Sequence, residues 1–140
     1  MSAVAIDATG DLAACLAVRR TVFIEEQGVP EDLERDEHDA GAIHLLATRD
    51  GRPVGTARIV AKGDTAKIGR VAVLREARGT GLGAALVRAA VAAARARGFR
   101  DARLGSQVHA IPFYERLGFT AEGPVYDDAG IPHRDMALPL

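Results

Sequence analysis

Residues 71–84 read Val71-Ala72-Val73-Leu74-Arg75-Glu76-Ala77-Arg78-Gly79-Thr80-Gly81-Leu82-Gly83-Ala84. A strand-forming run ends in a basic segment, and three glycines then open a long alanine- and leucine-rich stretch. Glycines at alternate positions let backbone N–H groups converge on an anion with no side chain in the way. The start of the following helix adds partial positive charge, and Arg75 and Arg78 add full charges. The chemistry is that of a pyrophosphate cradle.

Which pyrophosphate fits depends on context. Gly79, Gly81 and Ala84 also satisfy the dinucleotide fingerprint G-x-G-x-x-[G/A], with Asp101 placed for a ribose contact. That fingerprint should follow its strand directly and open a repeated βαβ series. Here Arg75 to Arg78 intervene, and the preceding elements read as an antiparallel meander. A kinase-type phosphate loop fails because no Gly-Lys-Ser/Thr occurs.

Working outward, Leu82 to Arg97 is the clearest helix. Leu82, Leu86, Ala89/Ala90 and Ala93 form its apolar stripe, Gly98 its stop, and its alanines allow close approach to a sheet. Upstream, Ile43–Thr48 and Pro53–Ala61 flank Arg49-Asp50-Gly51-Arg52, a tight-turn signal, and a turn at residues 62–64 leads into Ala66–Leu74. Val4–Ile6 reads as a short first strand and Leu12–Phe23 as a helix capped by Asp11. Residues 26–41 are polar and acidic and read as a long loop with at most one helical turn. Downstream, Asp101–Gly105 fits a strand and Ile111–Leu117 a short helix that tolerates Pro112 in its first turn. Residues 119–121 and 134–138 fit a closing strand pair. The predicted class is α+β, a mixed, mostly antiparallel sheet flanked by helices.

At 140 residues the chain fits one domain, residues 1–140. Its 48% hydrophobic and 26% charged content match an ordinary globular protein, and no run approaches the roughly 18 apolar residues of a membrane helix. The N-terminal charge follows the apolar stretch, opposite to a secretory signal, so a cytoplasmic location is expected. Cys15 is alone, which excludes an internal disulfide framework and suits a small buried hydrophobe.

The net charge of −1 conceals segregation. Residues 25–39 hold eight acids against Arg35, a local net of −7, whereas residues 67–103 hold nine bases against Glu76 and Asp101, a net of +7. Opposite fields suit an anionic cofactor on one side and a cationic substrate on the other. Two solvated faces would give the same pattern. The basic half has no aromatic interleaving that could stack bases, Phe99 being its one aromatic residue, which argues against a nucleic-acid partner. His38, His44 and Asp36 lack tight ligand spacing, so no metal is expected.

The context of the glycine turn resembles a known family. Arg78-x-x-Gly81-x-Gly83 matches the [Q/R]-x-x-G-x-[G/A] motif of the GNAT superfamily of acyl-CoA-dependent N-acyltransferases, after the fourth strand and at the start of the long helix. About 35 residues on, Phe113-Tyr114-Glu115-Arg116-Leu117-Gly118-Phe119 looks like the family's aromatic-Tyr-x-x-x-Gly-Phe ending. The segments 22–27, 67–73 and 130–133 are similar to the ElaA-like branch. The resemblance spans nearly the whole chain.

It implies acetyl-CoA as acyl donor and a primary amine as acceptor, a small molecule in preference to a protein, joined by direct attack in a ternary complex. A non-catalytic acetyl-CoA-binding regulatory module is the alternative. The backbone of Val71 and Val73 is implied to pair with the pantetheine arm, with the Val73 N–H near the developing negative charge. Arg78, Gly79, Thr80, Gly81, Leu82, Gly83 and Ala84 are implied to hold the pyrophosphate, and Lys67, Arg70 and Arg75 to lie near the 3′-phosphate. Tyr114 matches the tyrosine that protonates the departing thiolate. Gln107 stands where many relatives carry Asn and is implied to contact the cofactor. The acceptor's proton needs a base, and Glu26, His44, His109 and His133 are the candidates, Glu26 first. The acidic segment 25–39 would receive a cationic acceptor. Dimers are common in this family, and a homodimer is left open.

Overall fold

The computed structural model describes residues 4–140. Seven strands, β1 (Val4–Thr9), β2 (Ile43–Arg49), β3 (Arg52–Lys62), β4 (Thr65–Val73), β5 (Asp101–Gln107), β6 (Thr120–Asp128) and β7 (Ile131–Pro139), form one sheet. Their order is β1-β2-β3-β4-β5-β7-β6, and only the β4–β5 pair is parallel. Helices α1 (Leu12–Arg19) and α2 (Glu31–Glu34) precede β2, α3 (Leu82–Ala96) connects β4 to β5, and α4 (Ile111–Glu115) follows β5. This is the predicted α+β class.

Local chemistry accounts for most boundaries. Asp11 Oδ1 accepts from the Ala14 N–H at 3.1 Å and caps α1. Asp50 and Gly51, both at positive φ, form the tight β2–β3 turn expected of Asp-Gly. Leu86, Val87, Ala90 and Ala94 of α3 are fully buried against the sheet, packed with Ile59, Ile68 and Leu104. The approach is close enough that a Cβ on Gly55 would stand 2.8 Å from Leu86 Cδ1.

Several elements are longer than the sequence signals: β1 runs on to Thr9 and β5 to Gln107, and the first helix and the final strands extend furthest. The first helix does not stop near Phe23 but continues as π-helical turns over Arg20–Glu26, where the Gln27 N–H reaches back to Val22 O at 3.2 Å. The final strands run through a full hairpin whose turn is Ala129-Gly130, both at positive φ. Alanine gives no turn signal there, because a left-handed conformation is unfavourable for it.

The acidic segment departs most from expectation. Glu34 and Asp39 are buried, and their partners lie far away in the chain. Buried Arg19 donates to Glu34 Oε1 at 2.5 Å and to Asp39 Oδ1 at 2.7 Å. Arg58 donates to Asp36 at 2.7 Å and Asp39 at 3.0 Å, and Arg70 reaches Asp36 at 3.4 Å. Outside this network, Glu26 pairs with Arg78, while Glu25 and Glu31 flank Arg20. The local net charge is therefore largely compensated, and this segment is an internal ion-pair network rather than an open receiving surface for cations. Three arginines and three carboxylates balance in it, as burial of charge requires.

Candidate active site

β4 carries the feature that builds the site. Arg70 and Val71 together stand opposite Ala57 of β3, between the pairs Thr56↔Ala72 and Arg58↔Gly69, so β4 contains a bulge. Arg70 sits there at φ 52°, an uncommon conformation for a side-chain-bearing residue. Its guanidinium makes two bonds to Glu34 O, at 2.9 and 3.1 Å, which hold the bulge against the end of α2. The bulge also exchanges faces. Ile68 packs in the main core; beyond the bulge Val71 and Val73 do so, and Ala72 packs with Val18 and Val22 under α1.

Beside the bulge the sheet parts. β4 and β5 are paired only over Thr65↔Asp101, Ala66↔Ala102 and Lys67↔Arg103. The Leu74 N–H donates to Val54 O at 2.8 Å, toward β3. Alternation along the strand then turns the N–H groups of Val71 and Val73 the other way, into the gap, where no strand meets them. An unpaired strand edge inside a protein is a template for an extended amide-bearing chain.

The gap leads to the glycine turn. Gly79 and Gly81 are both left-handed, at φ 75° and 82°, and nothing lies within 4 Å of where their Cβ atoms would stand. Gly81 precedes α3 without any side-chain cap, so the first N–H groups of this helix of 15 residues have no partner among the described residues. The Arg78 side chain turns away from the cradle: Nε donates to Val73 O at 2.9 Å and Nη2 to Glu26 at 2.6 Å. The backbone from Gly79 to Ala84, rather than the Arg78 guanidinium, is what the turn offers an anion. One row of backbone donors along a strand edge and another at a helix start form the pattern that an extended amide-bearing chain ending in a pyrophosphate would match.

Beside the gap, Phe23, Gln27, Val71, Tyr114, Ile131 and His133 line one cleft, across which Gln107 bonds Gln27. Tyr114 packs edge-on against Phe113 and Phe119, at centroid separations of 5.0 and 6.1 Å. Its hydroxyl has no hydrogen-bond partner among the described residues, and burial pushes its pKa up to about 12. The His133 Nδ1 lies 2.7 Å from Ile131 O. A carbonyl only accepts, so Nδ1 carries the hydrogen and the neutral ring keeps its lone pair on Nε2.

The other candidates are disposed differently. Glu26 is bound to Arg78 and lies with Thr21, Glu25, Arg75 and Glu76, outside the cleft. His44 is buried, with Nε2 on Asp39 O at 2.8 Å. His109 donates to Gln107 Oε1 at 2.7 Å, and Gln107 donates to Gln27 at 3.1 Å, so the Gln107 amide ties the end of the π-helical segment to the end of β5. Lys67 lies at the far end of β4 from the glycine turn, and Arg70 faces the acidic network. Neither is beside a phosphate cradle. Arg75, just after β4, lies with Glu25 and Glu26 on the surface outside the cleft. The roles of Gln27 and of the Arg70 bulge had no sequence signal: one is an ordinary amide and the other depends on strand register.

The family described as "Acetyltransferase (GNAT) domain" matches residues 4–140. The chain is 37% identical over 131 residues to protein YyaT of Bacillus subtilis (strain 168), covering 91% of this chain and 88% of that one. It is 33% identical over 131 residues to protein ElaA of Escherichia coli (strain K12), covering 90% and 86%. The crystal structure of an acyl-CoA N-acyltransferase from Pseudomonas aeruginosa superposes with a TM-score of 0.85 at 32% identity, covering 98% of this chain and 99% of that one.

Proposed function

The chain belongs to the GNAT acetyltransferase family, in its ElaA-like branch, and we propose that it transfers the acetyl group of acetyl-CoA to the primary amine of a small molecule by direct attack in a ternary complex. Acyl-CoA-dependent N-acyl transfer is the family's activity; the acetyl donor, the acceptor class and the roles below are this proposal. The observation that carries it is the parted β4–β5 edge, with Val71 and Val73 N–H groups unpaired, joining an uncapped glycine turn at one end to Tyr114 and His133 at the other.

The N–H groups of Val71 and Val73 hold the pantetheine arm, and the Val73 N–H donates to the thioester carbonyl oxygen as it gains charge. One such donor is worth on the order of 3 kcal/mol in the transition state. The backbone of residues 79–84 holds the pyrophosphate, while Arg78, latched to Val73 O, fixes the turn relative to the strand. The amine lone pair attacks the acetyl carbon, and the C–S bond breaks. His133 Nε2 takes the proton that the amine nitrogen sheds, and the Tyr114 hydroxyl gives its proton to the departing sulfur.

His133 serves better than Glu26 because it lines the cleft with a free lone pair, whereas the Glu26 carboxylate is bound to an arginine. Tyr114 at about 12 keeps its proton across the working range. The burial that makes it a weak acid also strengthens the proton affinity of a thiolate departing beside it.

Thermal unfolding with acetyl-CoA, against NAD and ADP controls, tests the cofactor. A ligand at 100 times its dissociation constant adds roughly 2.7 kcal/mol. Stabilisation by acetyl-CoA and thiol release with primary amines are expected. No stabilisation by acetyl-CoA would refute the proposal.

A further inference from the structure

The cleft does not end at His133. Ile68, Gly69, Arg70 and Asp128 border it on one side and line a second groove on the other, which runs along the open face of β3 and β4. The strand register fixes that groove's floor. Arg58↔Gly69, Val60↔Lys67 and Lys62↔Thr65 are paired, so Arg58, Val60 and Lys62 share one face with Lys67 and Gly69. Lys62 and Lys67 stand diagonally across the strand pair, about 7 Å apart at their origins. Gly69 leaves the floor beside Lys67 open, with nothing within 4 Å of where its Cβ would be.

The charges in this groove are not equal in kind. Arg58 and Arg70 are committed to Asp36, Asp39 and Glu34. Lys62 and Lys67 have no hydrogen-bond or ion-pair partner among the described residues, and both ammonium groups are exposed. Arg103, paired with Lys67 across the β4–β5 junction, is itself neutralised by Asp101 and Glu122. Two free cations therefore face the far end of a cleft whose near end handles an amine. Of the carboxylates lining the cleft and the groove, Asp128 is the one with no hydrogen-bond or ion-pair partner among the described residues.

We infer that Lys62 and Lys67 form an anion subsite for the acceptor, so that the acceptor is a zwitterionic small molecule: a primary amine at the Tyr114–His133 end and a carboxylate or phosphate at the lysine end. This rests on the acyl-transfer reading above and deepens it. Lys67 lies four residues before Val71, roughly 13 Å along the strand, and a lysine side chain reaches back over part of that distance. The acceptor thus carries its two charges several bonds apart. A polyamine places a cation where the groove already holds two, which disfavours it.

The test uses three amines of one chain length, about six carbons, bearing at the far end a carboxylate, a methyl group or a second ammonium. The carboxylate-bearing amine is titrated without acetyl-CoA into the whole labelled protein, reading the backbone amides of Lys62, Lys67 and Gly69. These amides should shift with the carboxylate and not with the methyl compound, and Lys62→Gln with Lys67→Gln should weaken the titration at least tenfold. In turnover, kcat/KM should rank carboxylate, then methyl, then ammonium, and the double variant should bring the first two within about threefold of each other. Equal shifts with all three amines, or a preference unchanged by the double variant, would overturn the subsite. Failure of every amine to turn over would count against acyl transfer instead, and the titration would still decide the subsite.

Discussion

Arg78 and Glu26 are joined at 2.6 Å across 52 residues of sequence, and the same guanidinium holds Val73 O at 2.9 Å. The ion pair links the end of the π-helical segment to the glycine turn before α3. On the mechanism proposed above, Glu26 positions Arg78 and His133 takes the acceptor's proton. Glu26→Gln should leave kcat within about threefold and cost less than ~1 kcal/mol, since both groups are partly exposed. His133→Gln should lower kcat about 100-fold, without changing acetyl-CoA-induced stabilisation. The reverse ranking in steady-state assays would return the role of base to Glu26.

Tyr114→Phe keeps the ring packing against Phe113 and Phe119 and removes only the proton donor. The variant should bind acetyl-CoA normally, by thermal shift, and lose roughly 100-fold in kcat. The wild-type phenol, raised to about 12, should produce no alkaline fall in rate below about pH 10. A rate loss near neutral pH assigned to Tyr114 ionisation would contradict this.

Gly81 is left-handed at φ 82° with open space before it. Gly81→Ala should cost about 1–2 kcal/mol of stability through backbone strain. It should also raise the dissociation constant for acetyl-CoA more than tenfold, because a methyl group would stand in the cradle. Calorimetric titration separates this from Gly51→Ala, equally left-handed but remote from the cleft, which should show the strain alone.

Burial works against ionisation of Asp39, but the hydrogen bonds from Arg19 and Arg58 overcome it and hold the carboxyl well below the usual range. Asp36 is lowered in the same sense, against its own desolvation, chiefly by Arg58. A carboxyl depressed in the folded state stabilises fully above its unfolded pKa, near ~3.9, and less as pH falls below it. Urea midpoints should thus hold from pH 7 to about pH 5 and drop steeply below about pH 4. Asp39→Asn should cost about 3–5 kcal/mol at neutral pH, since Arg19 would remain buried and under-paired, and should flatten the acid limb.

Much of this protein is written locally. The Asp11 cap, the Asp50-Gly51 turn, the α3 stripe and the paired glycines at positions 79 and 81 each depend on a few neighbouring residues. Such patterns fix backbone conformation within one element, so the order of strands and helices and the glycine turn are legible from them. Tyr114 is legible for a different reason, its place in a motif that resembles a known family. The Ala129-Gly130 turn was not, because nothing local favours alanine at positive φ.

What folding alone decided is which charges meet and where the sheet parts. The acids of residues 25–39 look in sequence like an open anionic surface, yet Arg19, Arg58 and Arg70 reach them from 15 to 36 residues away. The same folding leaves Lys62 and Lys67 without partners among the described residues and turns Glu26 toward Arg78 instead of the cleft. A one-residue bulge at Arg70–Val71 changes which face each later side chain occupies, and register is a property of the strand pair that composition does not encode. Sequence determines the local backbone because its interactions span a few residues. The site's charge balance is set by contacts across the fold, where burial makes each carboxylate answerable to whichever cation the topology brings within 3 Å.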